Sequence, residues 1–383
     1  MATGRMGRKG PHLEELLRAY FWKTGCFALR NVLYHIDGEQ VTDIDVWLYE
    51  RPTAFTRRIV IVDAKKRKSP KAYERIIWAN GLRSALGVDG AIVATTDKRP
   101  STRALAKDLR ITLLDGHAVS KLSASRSLLN ESDLTLEDLN SAIKRVDDQR
   151  RSTDFRDTWT AAKASLIGNL GIQSANQNLA AAGYFAEQVV VSSKNSEQVN
   201  VGLRLLYLTS ALAAINLDYA TSELAFLAKK ERRKAIIEGV RFGQSEKSSV
   251  LATMNTTLEL VRQYLDNGTS LAKSLAERFY LDANNIQAEL IADYVSSVSA
   301  TSNLFVTARE LAESAQRIHV PGFDGLRKDA KSWIGVILDF HQIERAKLAN
   351  VSFGVDVQSE GESEIKDAKK ENEGEIPKLF DES

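Results

Sequence analysis

No proline occurs between Pro100 and Pro321. Proline removes a backbone donor and clashes with the preceding helical turn. A run of this length without one, rich in Ala, Leu, Glu, Lys and Ser, is what consecutive helices tolerate and what turn-dense sheets rarely show. This feature divides the chain in two. Four of the six prolines, at 11, 52, 70 and 100, fall at the front, where helical and strand spacing alternate.

Residues 11–122 read as a small α/β unit. "HLEELLRAYFWKTG" carries apolar residues at helical spacing and ends at Gly25, a residue suited to closing a helix. "VTDIDVWLYE" alternates with period two, which predicts Ile44, Val46 and Leu48 on one face and Asp43, Asp45, Trp47 and Tyr49 on the other. "RIVIVDA" is continuously apolar, the pattern of a central strand covered on both faces. A helix over "SPKAYERIIWANGLRSALG", a strand over "DGAIVATT", a helix over "PSTRALAKDL" and a strand over "ITLLDG" complete the order αββαβαβ, a mixed sheet flanked by helices.

Residues 123–350 read as an all-α domain. A break is expected near Asn216–Asp218, an Asn-Gly stop falls at Asn267, and no fixed-period repeat is present. Residues 351–383 form a polar, acidic tail expected to be disordered.

The net charge of +2 conceals an uneven spread. Residues 1–120 hold 21 Lys and Arg against 13 Asp and Glu, whereas residues 355–383 hold 4 against 10. A basic front end fits a polyanion-binding domain, although a solvated surface produces the same imbalance. The single cysteine, Cys26, excludes an intramolecular disulfide and cysteine-rich metal centres. The five histidines, at 12, 35, 117, 319 and 341, show no ligand spacing, and neither Walker A nor GxGxxG occurs. No apolar run reaches the ~18 residues of a membrane span, and no secretory-type apolar segment follows the basic start. A cytoplasmic protein without membrane association is expected.

The candidate chemistry lies at the end of "RIVIVDAKK". Side chains alternate along a strand, so Asp63 and Lys65 share a face, roughly 6–7 Å apart. A hairpin with the preceding strand would bring Asp45, and with it Asp43, to the same face. Two carboxylates make a hard oxygen site suited to Mg²⁺ or Mn²⁺. A lysine beside them can orient a water or stabilise charge on an attacked phosphate. Glu14, in the first helix, is a candidate third carboxylate. Asp-x-Lys alone is common by chance and equally fits a solvated strand end; the order of the surrounding pieces is what distinguishes this one.

Those pieces resemble the PD-(D/E)xK, or restriction-endonuclease-like, superfamily, and in particular its Mrr-like branch. "LEELLRAYFWKTG" resembles the family's first helix, "TDIDVWL" the strand bearing its first metal-binding aspartate, "VIVDAKK" its (D/E)xK strand, and "VDGAIVATTDKRPSTRALAKDLRITLLDGHAVSKL" its closing segment. The resemblance covers about the first third of the chain. It implies a divalent-metal-dependent endonuclease acting on nucleic acid, usually DNA with RNA not excluded, in restriction or defence against foreign DNA. Asp45, Asp63, Lys65 and Glu14 would be catalytic, and Mg²⁺ or Mn²⁺ would be the cofactor. Where the family carries a "GDGGIDV"-type approach this chain has "GEQVTDIDV", which leaves open whether Asp43 or Asp45 binds metal. Cutting both strands of a duplex with one site per chain calls for two chains, so a homodimer or higher oligomer is expected, the helical domain serving recognition, sensing or oligomerisation.

Lys66, Arg67, Lys68 and Lys71, with Arg57 and Arg58 before the strand, are candidates for phosphate contacts. Trp47, Trp78 and Tyr73 could stack on bases, but aromatics at this spacing are more often core. The basic stretch 228–243 reads as the solvated face of a helix. The alternative to the nuclease is a nucleic-acid-binding or protein-interaction module on the same scaffold, without hydrolysis.

Overall fold

A computed structural model of the chain describes residues 9–65, 71–130, 133–168, 170–192, 197–243 and 247–351. The expected disordered tail, 351–383, lies outside these residues except for its first. The described residues divide into two compact units, one ending at Glu137 and the other starting at Asp138.

The first unit runs α1 (Lys9–Lys23), β1 (Phe27–Ile36), β2 (Glu39–Glu50), β3 (Arg58–Lys65), α2 (Ala72–Leu86), β4 (Gly90–Thr95), α3 (Pro100–Asp108), β5 (Thr112–Leu114) and α4 (Gly116–Ala124). Its five strands lie in sequence order in one sheet. β1, β2 and β3 form an antiparallel meander, and β3, β4 and β5 are parallel. The broad expectation of a mixed sheet followed by helices holds, and β3 is central as its apolar run requires.

The sequence order omitted β1. Its apolar pattern is broken by Arg30 and by Asn31, which takes a left-handed φ of +54° inside the strand. Pairing with β1 makes β2 an interior strand as well, so Ile44 to Tyr49 are all buried and the expected one-sided alternation is lost.

α1 packs on β1, β2, β3 and α4, while α2 packs on β3, β4 and α3. At "LLDGH" β5 gives way directly to α4. The Asp115 carboxylate accepts the backbone N–H groups of His117 (2.9 Å) and Ala118 (3.1 Å), capping α4. Gly116 is required there, because a Cβ would sit 2.4 Å from the Thr96 carbonyl oxygen. α4 packs against α1, β4 and β5, which carries the first unit past residue 122.

The second unit comprises α5 (Leu136–Arg150, which starts at the end of the first), α6 (Asp154–Ala164), α7 (Ile172–Val191), α8 (Glu197–Glu223), α9 (Lys229–Phe242), α10 (Lys247–Tyr264), α11 (Gly268–Asn285), α12 (Ala288–Val295), α13 (Val298–Gln316), α14 (Lys328–Phe340) and α15 (Arg345–Ala349). α8 is its axis, enclosed by α6, α7, α13 and α14. It is long and apolar enough to cross a membrane by length and composition, but it is buried within the unit as a core helix. The expected break at Asn216–Asp218 does not occur. Asn216 donates to the Leu212 carbonyl one turn back (2.8 Å) and accepts the Gly171 amide (3.3 Å), so a polar side chain is satisfied without ending the helix. α8 ends at Glu223.

Candidate functional site

β2 and β3 are in register from Glu50↔Arg58 to Val46↔Val62. Just past Val46↔Val62, the Asp45 side chain turns toward β3. One of its carboxylate oxygens accepts the Ala64 amide at 2.7 Å. Lys65 Nζ lies 3.4 Å from both oxygens. Asp45 is buried and Lys65 half-buried. Burial pushes the Asp45 carboxyl above its ordinary range, the Ala64 amide and the Lys65 ammonium pull it back, and Asp43 adds to the rise.

Asp63 shares a small cleft with Asp43 and Asp45, closed on one side by Trp78, Ala79 and Leu82 of α2. Its free volume is about 10 Å³, the room of one water molecule. Arg75, one turn into α2, forks onto Asp63, with Nε 2.7 Å from one oxygen and the second nitrogen on the other. Burial lowers the Arg75 pKa, opposed by Asp45 and Asp43.

Glu14 lies on α1 beside this hairpin, and its carboxylate is held by Arg30 at 3.0 Å. Arg30 is almost completely enclosed and also pairs with Glu15 and Glu137, each at 3.0 Å. Burial raises the Glu14 pKa, the Arg30 hydrogen bond lowers it, and Asp45 and Lys65 act on it in opposite directions. Glu14 is therefore within electrostatic reach of the Asp45–Lys65 pair while bonded elsewhere.

The hairpin thus brings Asp43, Asp45, Asp63 and Lys65 together, with Glu14 at its margin. Among the described residues, no group of three or more His, Cys, Asp or Glu side chains is arranged to hold a metal ion. The donors that line the cleft still fit a small hard cation, since Mg²⁺ takes one or two carboxylates and completes its shell with water and substrate oxygens. Such an ion would compete with Lys65 for Asp45 and with Arg75 for Asp63.

The expected phosphate contacts divide three ways. Lys66, Arg67 and Lys68 lie outside the described residues. Lys71 is exposed and pairs with Glu74 at 2.9 Å. Arg58 stands at the opposite end of β3 from Lys65, roughly 23 Å away along the strand, and pairs with Glu50 at 3.4 Å; it does not belong to the site. Trp47 is fully buried, stacked beside Tyr49, and cannot reach a base.

Two residues of the site escaped the sequence reading. Arg30 had a signal, a charge inside the apolar run "FALRNVL". Arg75 had only its place early in the helix after the Asp-x-Lys strand.

The fold and cleft define an α/β unit with an acid-and-lysine site at the end of its central strand. Comparison with family models, with curated proteins and with solved structures finds no match for this chain.

Proposed function

We propose that the first unit is a divalent-metal-dependent nuclease that hydrolyses phosphodiester bonds in DNA, with RNA as the second substrate class open to the same chemistry. The observation that carries this reading is the pairing of Lys65 with Asp45, 3.4 Å apart, beside a cleft that Asp45 lines together with Asp63. The Mrr-like order of the sequence pieces supports it.

Asp45 and Asp63 would hold Mg²⁺ or Mn²⁺, with Asp43 at the rim. The bound ion would supply charge neutralisation and an activated water. Lys65, anchored by Asp45, carries an ammonium that can stabilise charge growing on the attacked phosphate or orient the water. Glu14, held by Arg30, adds negative charge behind the pair rather than a ligand. Two chains would serve two strands, and the helical unit would recognise a target, sense a signal or oligomerise. Defence against foreign DNA in the cytoplasm is the setting this suggests.

The test incubates the purified protein with plasmid, linear duplex, single-stranded DNA and RNA, with and without Mn²⁺. Cleavage is expected only with metal, and to disappear in Asp63→Ala and Lys65→Ala. Cleavage that persists unchanged in both variants refutes the site.

The fork of Arg75 on Asp63 favours a second reading. If that cation permanently neutralises the carboxylate, the unit binds nucleic acid without hydrolysing it. Metal-independent binding by a protein that never cleaves would select this alternative.

A further inference from the structure

Trp78 is 47% exposed, unusual for an indole in the middle of a helix, and it lines the same cleft as Asp43, Asp45 and Asp63. We infer that Trp78 is a stacking platform for an unpaired nucleobase next to the phosphate held at the cleft, so that the preferred substrate is single-stranded or locally unpaired nucleic acid. The inference rests on the nuclease reading and narrows its substrate.

Of the three aromatics that sequence spacing offers, the structure leaves one. Trp47 is in the core. Tyr73 has a ring face covered by the Arg99 guanidinium, 4.9 Å from its centroid, and its hydroxyl bonds Ser101 Oγ at 2.5 Å. Among the described residues, no ring or cation covers Trp78 in this way. Every base offers a π face, so an exposed indole beside a phosphate site captures bases without reading sequence. In an intact duplex those faces are already stacked on neighbouring bases. Only a base free to leave the stack can use Trp78, and this gives the preference its direction.

The neighbouring Ile77, also exposed, raises the rival of a protein partner on α2. The cleft argues against it. Among the described residues, a partner seated over Trp78 would cover three carboxylates paired with two cations, Lys65 and Arg75, and burying unmatched charge is costly. A divalent ion reverses that balance and leaves the cleft cationic, which suits a phosphate.

The test measures binding of the full chain to a fluorescein-labelled 12-nucleotide single strand and to the same strand in duplex. Anisotropy is read in Ca²⁺ and in EDTA, so no cleavage is needed. Trp78→Ala is expected to weaken single-strand binding about 5- to 100-fold and duplex binding less than about twofold, with Trp78→Phe recovering most of the loss. Equal losses on both substrates, no loss on either, or conversion of a dimer to monomer by Trp78→Ala in sedimentation would each overturn the inference. Failure of the nuclease reading is separate, since it appears as absent or Asp63-independent cleavage while this binding difference is still measurable.

Discussion

The Asp45 carboxylate holds the Ala64 amide at 2.7 Å and the Lys65 ammonium at 3.4 Å, so one buried acid fixes both the backbone and the cation at the end of β3. The two bonds can be separated by substitution. Asp45→Asn keeps an oxygen for the amide and removes the charge. Asp45→Ala leaves a buried N–H without an acceptor, and should cost about 1–3 kcal/mol in urea unfolding. Asn is expected to cost less, because the partly exposed Lys65 can turn to solvent. Both variants should lose metal-dependent cleavage. Equal destabilisation by the two would show that the charge, not the amide bond, holds the strand end.

On the nuclease reading, Arg75 and a divalent ion would compete for Asp63. Removing the guanidinium in Arg75→Met should therefore tighten Mn²⁺ binding, up to about fivefold if the pair is worth about 1 kcal/mol or less. Asp63→Asn should weaken it. Calorimetric titration with Mn²⁺ decides the matter. Unchanged affinity in Arg75→Met would mean that Asp63 is not a ligand and would favour the non-catalytic reading.

What the sequence disclosed about this site followed from local periodicity. The continuous apolar run of β3 announced a central strand, and alternation put Asp63 and Lys65 on one face. Arg75 and Arg30 reach the site through tertiary packing, 12 and 15 residues from their respective partners Asp63 and Glu15, and no local pattern specifies which acid a buried cation will choose. β1 was hidden because Arg30 and the left-handed Asn31 interrupt it, although the Arg30 that spoils the pattern is what anchors Glu14. Asn216 misled in the opposite sense. A polar residue that looks like a breaker is absorbed when its own helix supplies a carbonyl four residues back.

In the helical unit, Arg204 is buried and, among the described residues, has no carboxylate partner. It donates to the carbonyls of Ala315 (2.5 Å), Arg317 (2.6 Å) and Ile318 (2.7 Å), closing the end of α13, while Nε bonds the Asn200 side chain at 2.8 Å. Burial lowers its pKa to about 10, still charged at neutral pH. Arg204→Met would leave the buried Ala315 carbonyl and the part-buried carbonyls of Arg317 and Ile318 without this donor and should cost about 1–3 kcal/mol. Arg204→Lys should not restore this, because a single ammonium cannot span the carbonyls that the planar fork reaches. Urea unfolding of the full chain tests both, and full rescue by Lys would refute the fork.

His341 makes the stability of the helical unit depend on pH. Its Nε2 lies 2.8 Å from the Leu179 carbonyl, which can only accept, so Nε2 carries the proton and Nδ1 is bare in the neutral ring. The ring packs so closely on Gly183 of α7 that a Cβ there would lie 2.5 Å from Cε1. Burial, opposed by the Leu179 bond and by Glu187, holds the imidazole pKa below its ordinary value. The unfolded chain therefore binds a proton that the folded chain resists. Stability is complete above the unfolded pKa of about 6.5 and falls as the pH drops below it toward the folded value. The melting temperature should decline between about pH 7.5 and about pH 5.5. His341→Gln retains a donor and cannot titrate, so it should decline less over the same interval. Parallel curves for the two proteins would show that this histidine does not set the slope.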